Sequence, residues 1–130
     1  ELEKLYNNGT RAVRFTAGGV NDELLSYCDA KGIYVAITAP INSSKSGESR
    51  KRGGNPSNDP KWRKEYVERT TQMIHITKRH PSVVAYYLAD DSANGICLYE
   101  SYLEAKNIID IPVFYEDGGK EWNSDNREFR

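Results

Sequence analysis

The chain has little cysteine and histidine, and their spacing excludes the commonest metal and disulfide scaffolds. Its two cysteines, Cys28 and Cys97, show no CxxC spacing, so we expect two buried free thiols, with one disulfide as the alternative. Its two histidines, His75 and His80, do not form an HExxH pattern. We expect them on a helix surface and near a helix C-terminus rather than on a metal.

A strong charge of either sign and a long apolar run are also missing. The 18 basic and 19 acidic residues give a net charge of −1, so neither nucleic acid nor an anionic membrane is indicated as a partner. No apolar run approaches the roughly 20 residues that span a bilayer, and no basic-then-apolar leader is visible. The basic run SRKRGG lies in a polar segment and predicts a solvated loop. Because the chain starts at Glu1, we expect a soluble piece of a longer protein, of undetermined compartment.

What the sequence does contain is a regular alternation of helical and strand patterns. Four apolar, β-branched or aromatic runs predict strands, and helical periodicity or capping residues separate them. The runs are RAVRFT, IYVAITAP, SVVAYYLAD and IPVFYE, at residues 11–16, 33–40, 82–90 and 111–116. This alternation predicts an α/β fold with βαβ units and a parallel sheet.

The predicted organisation is one domain over residues 1–130, with a long polar loop at 42–58 and a polar tail at 117–130. Four strands fit half of a (β/α)₈ TIM barrel as well as a small open sheet, since a whole barrel takes about 250 residues. Asn21 or Asp22 is expected to cap the second helix and Gly32 to end it. Asp59 and Pro60 should open the longest helix, whose apolar side is predicted to contain Trp62, Tyr66, Met73 and Ile76.

Acidic residues follow the last two predicted strands. Asp90 and Asp91 come after the third strand, and Glu116 and Asp117 after the fourth. In parallel α/β folds catalytic groups gather at the C-terminal ends of strands, and a retaining glycosidase needs two carboxyl groups about 5 Å apart. Asp91 and Glu116 are therefore one candidate pair. The alternative is structural, with Asp90 and Asp91 capping the next helix and Glu116 holding a network at the barrel mouth.

Several stretches resemble glycoside hydrolase family 2, the β-galactosidase and β-glucuronidase group. HPSVVAYYLADDSANG is similar to the family segment HPSVIIWSLGNESGNG. RAVR, NDELLSYCDAKGIYV, the helix before HPS, and PVFYEDGG also match family segments in the same order. The resemblance covers nearly the whole chain and implies a partial TIM barrel, about four parallel strands alternating with helices. It also implies a β-glycoside as the carbohydrate partner.

The resemblance assigns roles to four residues. Asp91 stands at the position of the family's general acid, a Glu, and Asp90 replaces the Asn that holds the sugar 2-hydroxyl. An Asp is one methylene shorter than a Glu, and a misplacement of about 1 Å can cost 10²-fold in rate. Arg14 is retained and is expected to act as a charged hydrogen-bond partner beneath the site. Glu116 matches a residue beside the site, where it is expected to contact substrate.

The resemblance also implies what is missing. Some family members hold magnesium with acidic residues after the second of these strands and a nearby His. This chain reads ITAPIN there and has Ala17 or Gly18 at a further His position, so we expect no metal and no cofactor. The family's nucleophilic Glu lies on the seventh strand, and this chain ends near the fifth. The isolated chain is therefore expected to be inactive, and a homodimer is one way to complete the half barrel.

Two further alternatives remain open at this stage. One is a carbohydrate-binding or scaffold module that keeps the fold without chemistry, and the other is a self-contained α/β domain. The pair Tyr86 and Tyr87 replaces the family's Trp-Ser. Since side chains alternate along a strand, one tyrosine should point into the barrel and the other towards the helices.

Overall fold

Strands and helices alternate along the computed structural model, which describes residues 2–41, 56–90, 95–115 and 124–125. The helices are α1 (Leu2–Asn7), α2 (Asp22–Lys31), α3 (Arg63–Thr77) and α4 (Ile96–Ile108). The strands are β1 (Ala12–Thr16), β2 (Tyr34–Thr38), β3 (Val83–Tyr87) and β4 (Val113–Phe114). The predicted order of elements is confirmed. No helix within the described ranges is long and apolar enough to cross a membrane.

The four strands form one parallel sheet in the order β1-β2-β3-β4. Sequential parallel neighbours joined by helical crossovers are the arrangement of a (β/α) barrel wall. The register pairs Thr16 with Thr38 and Thr38 with Tyr87, so the C-terminal ends of three strands meet at one edge. Any side chain that follows these strands is therefore delivered to the same end of the sheet.

The two faces of the sheet have different surroundings. One face carries Val35, Ile37, Tyr86 and Val113, all fully buried in the core. The opposite face carries the side chains that alternate with them, including Arg14, Thr38 and Tyr87. Tyr34, on that second face, is 61% exposed. The apolar run of β2 is therefore not covered on both faces at its first residue.

The helix boundaries follow local capping chemistry. The Asn21 side chain accepts the Leu24 N–H at 2.8 Å and so caps α2, and Gly32 ends it with φ 70° in the left-handed region. Asp59 accepts the Lys61 N–H at 3.2 Å, as expected, but the first turn after it is a 3₁₀ turn before α3 begins. Gly32 is needed because an αL residue with a Cβ is strained.

The predicted apolar side of α3 is only half correct. Tyr66 and Met73 are buried, but Ile76 is 56% exposed and Trp62 is 43% exposed. Ile74 is the isoleucine that enters the core. Thr70 and Thr77 share its face, and a purely apolar pattern overlooks such small polar residues.

The outer edge of β4 is closed by Asp125. Tyr86 and Leu88 of the β3 side donate to the carbonyls of Pro112 and Phe114, so the Val113 N–H and C=O point away from β3. Asp125 takes both, since its carboxylate accepts the Val113 N–H at 2.8 Å and its own N–H donates to the Val113 carbonyl at 2.7 Å. The segment predicted as a polar tail therefore packs on the sheet at residues 124–125; the rest of it lies outside the described residues, as do positions 42–55 of the predicted loop.

A buried network fixes the Asp125 carboxylate. Its oxygens accept the Tyr102 hydroxyl at 2.7 Å and the Lys106 ammonium at 3.0 Å, in addition to the Val113 N–H. Burial favours the neutral acid, but these hydrogen bonds outweigh it and lower the pKa of Asp125. Asp125 is therefore held ionised and ties α4 to the edge of the sheet.

Candidate functional site

Of the four acids predicted at the ends of the strands, Asp90 is the one that the structure describes. Its side chain is exposed, and its N–H donates to the carbonyl of Ile41 at 2.9 Å. That bond joins the chain leaving β3 to the chain leaving β2, as does the bond from the Ala39 N–H to the Tyr87 carbonyl at 2.9 Å. Asp91 and Glu116 lie outside the described residues, so their proposed roles rest on the sequence.

Arg14 lies on the open face and reaches across two strands. Its Nε donates to the Thr38 hydroxyl at 2.8 Å, and its guanidinium carbon lies 3.7 Å from the centre of the Tyr87 ring. The Tyr87 ring in turn packs against Phe114, with 5.5 Å between centroids. A guanidinium on β1 is thereby held over β3, three residues before Asp90. The structure therefore brings Arg14 and Asp90, both predicted site residues, towards the same end of the sheet.

The chain that follows Asp90 and Asp91 in the sequence is anchored, at Gly95, by the short turn at residues 56–58. Gly95 passes so close to the Ser57 backbone that an added Cβ would lie 2.6 Å from the Asn58 nitrogen and closer still to the Ser57 carbonyl. The Asn58 side chain accepts the Ile96 N–H at 3.1 Å, which caps the start of α4. Ser57 is itself buried and hydrogen-bonded to the Tyr66 hydroxyl at 3.0 Å. Gly95 thus fixes where α4 begins, directly after the four residues that start at Asp91.

Residues 39–41, the described chain directly after β2, do not fit a magnesium site. Ala39 and Ile41 are buried apolar residues, and Pro40 is the residue between them. Hard cations such as magnesium take oxygen ligands, mainly carboxylates. Within the described ranges no group of three His, Cys, Asp or Glu side chains is placed to hold a metal.

The two cysteines remain free thiols in the core, as expected. Cys97 donates to the Asp59 carbonyl at 3.3 Å, and burial raises the pKa of its thiol to about 11. Burial also raises the pKa of Cys28. Neither thiol is ionised near neutral pH, so neither has the character of a nucleophile.

Sequence reasoning missed a charged cluster around His80 at the opposite end of the sheet. His80 lies just after the C-terminal end of α3, as expected, and its side chain is only 7% exposed, with Nε2 2.9 Å from Asp22 and Nδ1 2.7 Å from Asp29. Arg79 pairs with the same Asp22 at 2.6 Å, and Asp29 also accepts the Ser82 N–H at 2.9 Å. Because His80 precedes β3, the cluster lies at the N-terminal end of the sheet, where residues of a TIM barrel support stability rather than chemistry.

The hydrogen bonds of this cluster shift three pKa values. The bonds to Asp22 and then Asp29 raise the pKa of His80, since two carboxylate acceptors require both ring nitrogens to be protonated. The bond from His80 lowers the pKa of Asp22. Burial opposes ionisation of Asp29, but bonds from Ser82 and His80 outweigh it and lower its pKa. The ionised His80 therefore ties α2 to the chain between α3 and β3.

Comparison with known proteins places the chain among glycosidases. Residues 1–125 match the family described as "Glycosyl hydrolases family 2, TIM barrel domain". Similar proteins include the Beta-galactosidase of Vibrio vulnificus, 34% identical over 123 residues, and that of Photobacterium profundum, also 34% identical over 123 residues. The Beta-galactosidase of Alteromonas mediterranea is 31% identical over 120 residues. These alignments cover 91–92% of this chain but 11% of each relative, so the chain spans about a tenth of their length.

Proposed function

The chain belongs to glycosyl hydrolase family 2, as part of its TIM barrel domain, and we propose that it supplies the acid-bearing portion of a β-galactosidase-like site. The parent reaction is retaining hydrolysis of a β-glycoside. Asp91 donates the proton to the leaving oxygen, while Asp90, Arg14 and Glu116 contact the sugar. The 130 residues alone are proposed to be inactive, because the family's nucleophile belongs to a later strand than β4.

One observation carries this proposal, the position of Arg14 across the strand ends. Its Nε–Thr38 bond and its stacking on Tyr87 place a permanent positive charge on the face opposite the helices. In a barrel that face is the interior, and active sites lie at its C-terminal end. Asp90 follows β3 at that end, tied to Ile41. A fixed cation at this end of the barrel is suited to binding a polyhydroxylated substrate.

General acid catalysis requires Asp91 to carry a proton when the leaving oxygen departs. The exposed Asp90 precedes it in the chain and replaces the Asn of the family segment. The Asp90 carboxylate lacks the amide N–H of the family Asn, so it accepts hydrogen bonds from sugar hydroxyls and donates none.

A chimera tests the role of Asp91. We expect the Vibrio vulnificus relative, with its matching 123 residues replaced by this chain, to hydrolyse aryl β-galactosides slowly. Asp91→Asn should lower kcat by a further 10²-fold or more for poor leaving groups and much less for dinitrophenyl substrates, because general acid catalysis contributes about 10²–10⁴-fold. Asp91→Glu should raise kcat by restoring the missing methylene. Circular dichroism of each chimera controls for folding.

Two results would contradict this assignment. A folded chimera whose leaving-group dependence is unchanged by Asp91→Asn would remove Asp91 from the acid role. Hydrolysis of nitrophenyl β-glycosides by the 130-residue chain itself, abolished by Asp91→Asn, would keep Asp91 but overturn the proposed inactivity of the chain.

A carbohydrate-binding module without chemistry is the second candidate. The observation that favours it is the change of both active-site positions from Asn-Glu to Asp90-Asp91 while the fold and Arg14 are kept. If the chain is a binding module, it should bind glycosides, and Asp91→Asn should not weaken that binding. Asp91→Glu should then restore no hydrolysis in the chimera, whereas the first candidate requires Asp91→Glu to raise turnover.

A second copy of the chain is the protein partner that we propose for the sheet edges, with Asp125 limiting its access. Edge strands present unpaired backbone groups to another chain. Closing two half barrels would pair β1 of one copy with β4 of the other. Asp125 occupies the Val113 groups that such pairing needs.

Removing the Asp125 side chain is therefore expected to have two effects. Asp125→Ala should lower the free energy of unfolding by about 2 kcal/mol, since bonds to charged groups contribute about 1.5–3 kcal/mol. It should also increase the dimer fraction in sedimentation velocity, because the β4 edge is freed. Asp110→Ala, at an exposed acid next to β4, is the matched control. An Asp125→Ala chain that stays as stable and as monomeric as the wild type would contradict the role of Asp125 at this edge.

A further inference from the structure

The two adjacent tyrosines of β3 face different surroundings. Tyr86 is fully buried on the helix side, and its hydroxyl lies 2.7 Å from the Thr77 hydroxyl. Tyr87 is half-buried on the open face, under the Arg14 guanidinium and beside Phe114. The expectation that one of the pair points into the barrel is confirmed, and it is Tyr87. The family segment quoted above has a serine at this position, which offers no ring to a neighbouring guanidinium.

Holding the Arg14 side chain in one orientation carries an entropic cost. A free arginine side chain loses about 2 kcal/mol of rotamer entropy when it is fixed. The Tyr87 ring restrains the guanidinium from one face, and the Thr38 hydroxyl holds Nε in its plane at 2.8 Å. Together the two contacts set both the position and the plane of the group. A planar, pre-oriented fork of N–H donors loses less entropy for each hydrogen bond that it forms.

We infer that Tyr87 is a positioning residue of the sugar site, acting through Arg14. It holds the guanidinium plane so that Arg14 meets the β-glycoside in one orientation, and its ring occupies interior space that a serine leaves open. This inference rests on the proposed function, because the β-glycoside is the ligand assigned to this end of the barrel. Tyr87 itself is not a catalytic residue.

The test uses the ¹⁵N-labelled chain and one defined probe, isopropyl β-thiogalactoside. The Nε–Hε resonance of Arg14, assigned by its loss in Arg14→Lys, should lie upfield in the wild type because the ring lies beneath the group. Tyr87→Phe keeps a ring and should preserve both the shift and the probe affinity. Tyr87→Leu should lose the upfield shift and raise the Kd by about two- to fivefold, the range of an exposed cation–π contact.

The possible outcomes separate this inference from the proposed function. If Tyr87→Leu leaves the Arg14 resonance or the Kd at the wild-type value, the positioning role is overturned while sugar binding stands. If Tyr87→Phe behaves like Tyr87→Leu, the hydroxyl matters rather than the ring, which also overturns it. If the wild type shows no response to the probe, the proposed sugar site in this chain fails, and the role of Tyr87 fails with it. Equal stability of the two Tyr87 variants by urea unfolding excludes a purely structural explanation.

Discussion

Replacing His80 by asparagine is expected to lower the free energy of unfolding by about 2 kcal/mol at pH 6, the range of one lost hydrogen bond to a charged group. Asparagine can donate near the Nδ1 position but carries no charge and does not reach both Asp22 and Asp29. The His80 side chain is almost fully buried, so losing its charge weakens the bond to Asp29, whereas the Asp22 carboxylate is 58% exposed and is hydrated by solvent. Urea unfolding monitored by circular dichroism measures the difference, and His75→Asn is the matched control. His75 is exposed on α3, and surface changes of this kind usually stay within about 0.5 kcal/mol.

We also expect His80→Asn to change how the stability of the chain depends on pH. The folded-state pKa of His80 is raised above its ordinary 6.5, so its contribution is complete below pH 6.5 and is lost as the pH rises through the raised value. Asp22 and Asp29 have pKa values lowered from 3.8, so their contribution is present above pH 3.8 and is lost as the pH falls through the lowered values. The cluster therefore stabilises most between pH 3.8 and 6.5.

As the pH rises above 6.5 the wild-type chain should lose stability, and His80→Asn should lose less over the same interval. The gap between the two proteins narrows with rising pH, because a neutral imidazole can donate from only one ring nitrogen. Parallel curves for the two proteins across this interval would show that the charge of His80 does not stabilise the fold. If the difference in stability between the two proteins widened with rising pH, the folded-state pKa of His80 would have to be lowered rather than raised.

The parts of the fold that the sequence predicts are those encoded within a few residues. Asn21 and Gly32 bound α2 by chemistry that acts three or four residues away, and apolar runs between turn residues give the strands and their order. A barrel-like parallel sheet then follows, because short helical crossovers leave little choice of topology. The error at Ile76 has the same origin, since spacing alone does not tell which of two nearby isoleucines meets the core.

The parts that the sequence does not reveal depend on contacts between distant residues. His80 meets Asp22 and Asp29 from another helix, and Asp125 returns to Val113 from beyond β4. No local pattern distinguishes these acids from others on the surface. At the candidate site the resemblance supplied Asp90 and Arg14 in advance. The stacking of Arg14 on Tyr87 required the sheet register, which pairs Thr38 with both Thr16 and Tyr87.

Among the glycines that the structure describes, Gly95 is the position where a single methyl group should cause the largest local displacement. A Cβ at residue 95 would lie 2.5 Å from the Ser57 carbonyl carbon and 2.6 Å from the Asn58 nitrogen, closer than any normal contact. Both atoms are backbone, so no side-chain rotation relieves the overlap, and either the turn at 56–58 or the start of α4 must move. Gly95→Ala should therefore cost about 3 kcal/mol of stability, the upper end of the range for overpacking. Gly18→Ala is the matched control, because a Cβ at residue 18 meets nothing within 4 Å.

Gly95→Ala also tests whether the proposed function depends on the exact position of Asp90 and Asp91. The start of α4 is fixed by Gly95 against Ser57 and by the Asn58 cap on Ile96, and Asp91 is four residues before Gly95. If the acid must be placed to within about 1 Å, the chimera carrying Gly95→Ala should lose about 10²-fold in kcat at temperatures where it remains folded. Loss of stability with unchanged kcat would show that the position of the acids is not critical, which would remove them from the chemistry. Unchanged stability would show that the chain at 56–58 yields freely, which removes Gly95 as the anchor of the site.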